Sequence, residues 1–195
     1  MSKFFKSDWF KCTAFLLILA VLLGGILAVL NDVLYVSSEE RTARAIKKIY
    51  GENKEYSVLL DTDAGDTAYS CEYGVINKIY QVGEDRLYQS VGNNGYKNGT
   101  ITFWVKVIEK DGKQVIDKVI MDGYEKQTLM SKFSSSYYNG FLIDVTDAVQ
   151  NQEFFSPKAD ASGLKNPMSG ATKSANACCN AINTVINFIA QGGLA

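Results

Sequence analysis

Hydrophobic positions along this chain follow three regimes: an unbroken apolar block near the start, alternation through the middle, and helical spacing at the end. The block is "CTAFLLILAVLLGGILAVL", Cys12 to Leu30, 19 residues without a charge. At about 1.5 Å rise per residue it spans a hydrocarbon layer of about 30 Å, which predicts one transmembrane helix. Lys3, Lys6 and Lys11 precede it with only Asp8 in opposition, and Asp32, Glu39 and Glu40 follow. The positive-inside rule then places the N-terminus in the cytoplasm and residues 31–195 outside. A cleaved signal peptide is the rival reading; the length of the run and the lack of a small-x-small cleavage site near Ala28 favour a retained helix. Gly24 and Gly25 offer a flat spot for a second helix, or are ordinary glycines of a membrane span.

Beyond the block, "SSEERTARAIKKIY", residues 37–50, sets Ala43, Ile46, Ile49 and Tyr50 against a charged face, which predicts an amphipathic helix capped by Ser37 or Ser38 and stopped at Gly51. "YSVLL" (56–60), "INKIYQV" (76–82) and "RLYQSV" (86–91) read as strands, the last two joined by the turn "GED". Residues 100–122 carry the clearest alternation. Ile101, Phe103, Val105 and Val107 face one way, and Asp111-Gly112 sits where a hairpin turn belongs. Such a sheet is half-buried. Residues 125–141 return to helical spacing through Leu129, Met130, Phe133 and Tyr137, and 151–171 read as loop. A last helix runs over 173–190, with Cys178, Ile182, Val185, Ile186 and Ile189 on its buried stripe.

The expected fold class is therefore α+β: an antiparallel sheet packed by helices, with one N-terminal transmembrane helix. The chain divides into a cytoplasmic start (1–11), the span (12–30), an amphipathic linker helix (31–50) and an extracytoplasmic domain (51–195).

Charge and composition narrow the chemistry. With 20 basic and 21 acidic residues there is no basic field to hold nucleic acid. Histidine is absent, which removes the commonest general base and metal ligand. The four cysteines, Cys12, Cys71, Cys178 and Cys179, lack CxxC spacing, and the vicinal pair sits in an apolar helical pattern suited to core filling. Any chemistry must use carboxylates, hydroxyls, thiols or a cofactor brought from outside.

"NPMSGATKSANACC", residues 166–179, gathers the hydroxyls of Ser169, Thr172 and Ser174 just before the last helix. Plain N-capping by one of them accounts for the pattern. A loop of small residues running into a helix start also suits phosphate, through free N–H groups and the positive end of the helix dipole. Ser169-Gly170-Ala171-Thr172, followed by Lys173-Ser174 and an apolar helix, resembles the flavinylation motif of the FMN-binding domain in RnfG and NqrC. These are subunits of the Rnf and Na+-translocating NADH:quinone oxidoreductase complexes. The layout is similar too: one N-terminal membrane helix, an external α+β domain, and the motif close to the end. "GYKNGTI" (95–101) is similar to the family's Gly-Tyr-x-Gly-x-Ile segment, and "QTL" (127–129) to its Glu-Thr-Pro-Gly-Leu segment. Two departures stand out: Asn166 replaces an acidic residue, and the Pro-Gly-Leu-Gly run is missing.

The resemblance implies that Thr172 receives an FMN phosphoryl group from FAD, transferred by a separate Mg2+-dependent flavin transferase. Thr172 would be a modified acceptor and not a catalytic base. Ser169, Gly170, Ala171 and Ser174 would bind the cofactor beside Thr172; Gln127, Thr128 and Leu129 would be the candidates for ring contacts, and Tyr96 or Tyr124 could stack on the flavin. The implied role is an electron carrier among the membrane subunits of an ion-translocating ferredoxin:NAD oxidoreductase. A stand-alone flavinylated surface protein and a cofactor-free membrane-anchored interaction module are the alternatives.

Overall fold

The computed structural model describes residues 8–34, 36–139 and 170–193. It divides into two compact units, 1–41 and 42–195. In the first, helix α1 spans Asp8–Leu34, and its Trp9–Asn31 stretch is long and apolar enough to cross a membrane. Leu16, Leu17, Ile18 and Leu19 are consecutive and all exposed, so apolar groups surround the helix instead of forming one stripe. That distribution gives the helix no polar face, as a helix able to cross a membrane requires. Helix α2, Ser38–Tyr50, starts with the Ser37 hydroxyl accepting the Glu40 N–H at 3.1 Å, which makes Ser37 the cap. The division between the units falls inside α2.

The second unit is built on a six-stranded antiparallel sheet: β1 (Ser57–Asp61), β2 (Tyr69–Ser70), β3 (Gly74–Val82), β4 (Asp85–Gly92), β5 (Ile101–Lys110) and β6 (Lys113–Tyr124). Its order is β1-β3-β4-β5-β6, with β2 also pairing with β3. The β5–β6 hairpin closes at Lys110 and Lys113 through Asp111 and Gly112, both with positive φ (54° and 72°). That mirror-image turn matches the strands' twist. The β3–β4 hairpin closes through Gly83, at φ 64°.

Ile101, Phe103, Val105 and Val107 do share one face, packed against Ala177, Cys178, Ala181, Ile182 and Val185 of helix α4, Thr172–Ala190. The second face is covered as well. Ala45, Ile46 and Ile49 of α2 lie over Tyr80, Leu87, Trp104 and Ile120. The buried edge of α2 is Thr42, Ala45, Ile46 and Ile49, whereas Ala43 is exposed. α2 is thus part of the core and not only a linker.

Two places bring α4 onto the sheet. A Cβ on Gly92 would strike the Ala177 carbonyl and the Ala181 amide, and one on Gly74 would strike the Val91 carbonyl and the Thr184 hydroxyl. The Ser90 hydroxyl donates to the Ala181 carbonyl at 2.7 Å across the same contact. Sheet and helix backbones therefore nearly touch, and α4 is buried on almost all sides.

The continuous helix expected over 125–141 is not formed. After β6 come a 3₁₀ turn, Met130–Lys132, and a five-residue helix α3, Ser135–Asn139. Lys126 (φ 53°) and Leu129 (φ 62°) hold left-handed backbone, which no right-handed helix admits. Of the expected apolar positions Phe133 reaches the core and Met130 and Tyr137 pack partly buried against it, but Leu129 is exposed; Tyr138 is buried as well. The Asn139 side chain accepts the Val119 N–H at 2.9 Å, which satisfies part of the β6 edge.

Candidate functional site

Local sequence admits Thr172 or Ser174 as the cap of α4, and neither serves. Ala171 occupies the cap position with no side-chain capping bond, and Thr172 is the exposed first residue of the helix. Gly170 precedes them at φ 78°, exposed, and among the described residues a Cβ built on it would meet no atom within 4 Å. The first intrahelical bond runs from the Ala175 N–H to the Ala171 carbonyl at 2.9 Å. The early N–H groups of this helix thus lack a side-chain acceptor from its own cap. Ser169 and Asn166 lie outside the described residues.

Ser174 instead points inward. It is buried, and its hydroxyl donates to Gln127 Oε1 at 2.7 Å. The same oxygen accepts the Tyr96 N–H at 3.0 Å, while Gln127 Nε2 donates to the Glu125 carbonyl at 2.9 Å and the Tyr96 carbonyl at 3.4 Å. One side chain thereby joins the exit of β6, the loop before β5 and the first turn of α4. Gly95 and Gly99 flank this loop, and a Cβ on either would collide with the Gln127 amide. Backbone bonds between Gly95 and Gly99, and between Thr100 and Glu125, close the loop below it.

Helix α4 holds the other side of the loop. Asn180 Nδ2 donates to the Asn93 carbonyl at 3.0 Å and to its side-chain oxygen at 3.1 Å, and Asn176 Nδ2 donates to the Asn94 carbonyl at 3.2 Å. About two turns further along, Asn187 donates to the Tyr69 hydroxyl at 2.7 Å. These asparagines, at helical spacing on an otherwise apolar element, are the residues that sequence reasoning missed; that spacing was the available clue.

No family model, curated protein or solved structure matches the chain.

Of the residues that the flavin-motif resemblance singles out, Tyr96 and Ser174 are brought together through Gln127, and Ala171 is buried beside them in the sheet–helix core. Tyr96 is 38% exposed, with Lys97 Nζ 5.6 Å from its ring centroid. Thr128 and Leu129 follow Gln127 with exposed side chains that make no hydrogen bond into this cluster among the described residues. Their sequence position is near the site, and their side chains are surface.

A second polar cluster lies on the β1 side of the sheet. Lys78 is buried, with its ammonium 2.6 Å from Asp63 and 3.1 Å from Asp61. The Tyr80 hydroxyl donates to Asp61 at 2.8 Å and lies 3.3 Å from the Thr42 hydroxyl. Burial opposes the Asp61 charge, yet the hydrogen bonds from Tyr80 and Lys78 outweigh it and hold the carboxyl below its usual range. Burial likewise works against the Lys78 charge, but Asp63 and Asp61 raise its pKa. Tyr80 is pushed up to about 12, chiefly by burial. Cys178 and Cys179 are fully buried core residues; burial raises both thiols, Cys179 to about 12, so neither forms a ready thiolate. Among the described residues no group of three His, Cys, Asp or Glu side chains gathers in a metal-holding arrangement.

Proposed function

We propose that this chain is a membrane-anchored electron carrier of the RnfG type, with FMN esterified to Thr172. The observation that carries the reading is the meeting, at Gln127, of the three separate segments named by the resemblance: Gly95–Ile101, Gln127–Leu129 and the SGAT helix start. Segments far apart in the chain have no local reason to meet at one side chain. Thr172 also fits an acceptor: it is exposed, Gly170 beside it leaves room, and its hydroxyl is not used as the helix cap.

In this reading the Thr172 hydroxyl oxygen bonds to the flavin-side phosphorus of FAD, the phosphoanhydride breaks, AMP leaves, and the hydroxyl proton passes to the transferase. The N–H groups of the first α4 turn, which Ala171 has no side chain to cap, then face a phosphodiester anion, and the helix dipole favours its charge. The half-exposed Tyr96 offers a ring face at the same end of the domain. The bound flavin supplies the redox chemistry; the chain fixes its place.

The proposed topology puts the N-terminus in the cytoplasm and the sheet domain outside, on the asymmetry of Lys3, Lys6 and Lys11 against Asp32, Glu39 and Glu40. Outside the cell a covalent bond keeps the cofactor from diffusing away. The proposed partners are the flavin transferase during maturation and, afterwards, the other membrane subunits of an Rnf/Nqr-like complex.

The test is the intact mass of the full chain, co-expressed with a flavin transferase in an export-competent host, beside Thr172→Ala. The expected result is a gain of one FMN group, with fluorescence that survives denaturation and is lost in the variant. An unmodified chain, from cells whose transferase modifies a known acceptor, would sink the reading.

A further inference from the structure

Gln127 spends every hydrogen-bonding group of its amide. Its oxygen accepts from a backbone N–H and a hydroxyl, and its nitrogen donates to two carbonyls, while the side chain is only 9% exposed. The orientation is unambiguous, because a flipped amide would set NH2 against the Tyr96 N–H and its oxygen against two carbonyls. Such a group has nothing left with which to bind a ligand. Its partners, however, come from three elements that this one side chain joins: Glu125 at the exit of β6, Tyr96 in the loop, and Ser174 in the first turn of α4.

The first turn of α4 is also the place where a brace is needed. Ala171 has no side chain with which to cap the helix, so the first turn draws its side-chain ties from elsewhere. Ser174, the third residue of the helix, is tied down from outside by the Gln127 oxygen. The same oxygen holds the Tyr96 N–H, so fraying of the helix and loosening of the loop share one contact.

We propose that Gln127 is a positioning residue that locks the Tyr96 loop to the first turn of α4, so that Thr172 is presented from a fixed helix end. The consequence for Thr172 rests on the flavin-acceptor reading; the lock itself does not. The lock predicts that loop and helix start open together, and that its loss slows modification of Thr172 without touching the handling of FAD, which belongs to the transferase.

The experiment uses the full chain in detergent, as wild type, Gln127→Leu and Ser174→Ala, with two readouts. The first is amide hydrogen exchange over 93–100 and 170–180, with no flavin involved. In Gln127→Leu both segments exchange at least about tenfold faster, while the β5–β6 hairpin is unchanged. In Ser174→Ala the helix start loosens more than the loop. The second readout is the rate of FMN attachment against FAD concentration: the maximal rate falls about tenfold or more in Gln127→Leu, with the KM for FAD unchanged. Unchanged exchange in both variants, or loosening of the helix start alone in Gln127→Leu, would overturn the lock. Should Gln127→Leu not fold, Ser174→Ala decides, since loss of one hydroxyl must still release the helix start. Wild-type chain that takes no flavin from an active transferase would end the acceptor reading, and the exchange data would still settle the lock.

Discussion

The Lys78 ammonium sits between Asp61 and Asp63, with Tyr80 bonded to the same Asp61 carboxylate. Its removal leaves a mostly buried carboxylate short of its cation, which costs far more than a surface ion pair would. Lys78→Met is expected to lose about 1–3 kcal/mol, read as a fall in Tm of about 2–4 °C per kcal/mol. The pH dependence has two edges. Asp61 is held below its usual value, so its contribution is present above the unfolded carboxylate value of about 3.9 and is lost as pH falls through the lower folded value. Lys78 is held above its own, so its contribution is present below about 10.4 and is lost as pH rises through the folded value. The stability gap between wild type and Lys78→Met should therefore be flat between these edges and shrink in acid, as thermal melts across pH would check. The vicinal thiols give a second outcome at this scale. Iodoacetamide followed by peptide mapping should label Cys71, which is partly exposed, and spare Cys178 and Cys179 until the chain unfolds. Core filling by that pair was legible from its apolar surroundings. The role of Ser174 was not, because its partner lies 47 residues away and local sequence offered only capping.

Among the elements, the β5–β6 hairpin was readable because two independent cues agree: strict alternation from Ile101 to Val107, and Asp111-Gly112 at the reversal. Residues 125–139 misled because their apolar spacing is helical while Lys126 and Leu129 adopt left-handed backbone. The second covered face of the sheet was hidden for a related reason. Trp104 and Ile120 lie between the residues of the obvious stripe, and only the packing of α2 shows that they are core. At this scale the close approach of α4 yields a prediction. Gly92→Ala inserts a methyl between two backbones that cannot yield as side chains do, so it should cost at least about 1–3 kcal/mol. Gly83→Ala on the exposed β3–β4 turn meets no atom, and only its left-handed backbone resists, so it should cost about 1 kcal/mol. Chemical denaturation of the two variants side by side would separate a packing clash from a turn penalty.

For the molecule as a whole, the α+β class and a first helix long and apolar enough to cross a membrane were legible, since both rest on long runs of pattern and not on single residues. The convergence at Gln127 was not, because it depends on the tertiary path. The proposed topology has a direct check: a membrane-impermeant maleimide added to intact cells should label Cys71 through the outer face, and should fail if the sheet domain is cytoplasmic. One last consequence concerns protons. Histidine is absent, and the buried ionisable groups whose values move all move outward: Asp61 downward; Lys78, Tyr80, Cys178 and Cys179 upward. None of these five groups therefore changes charge near neutrality. A redox group packed against them would draw its protons from elsewhere, so the slope of its potential against pH would carry no contribution from the titration of these five.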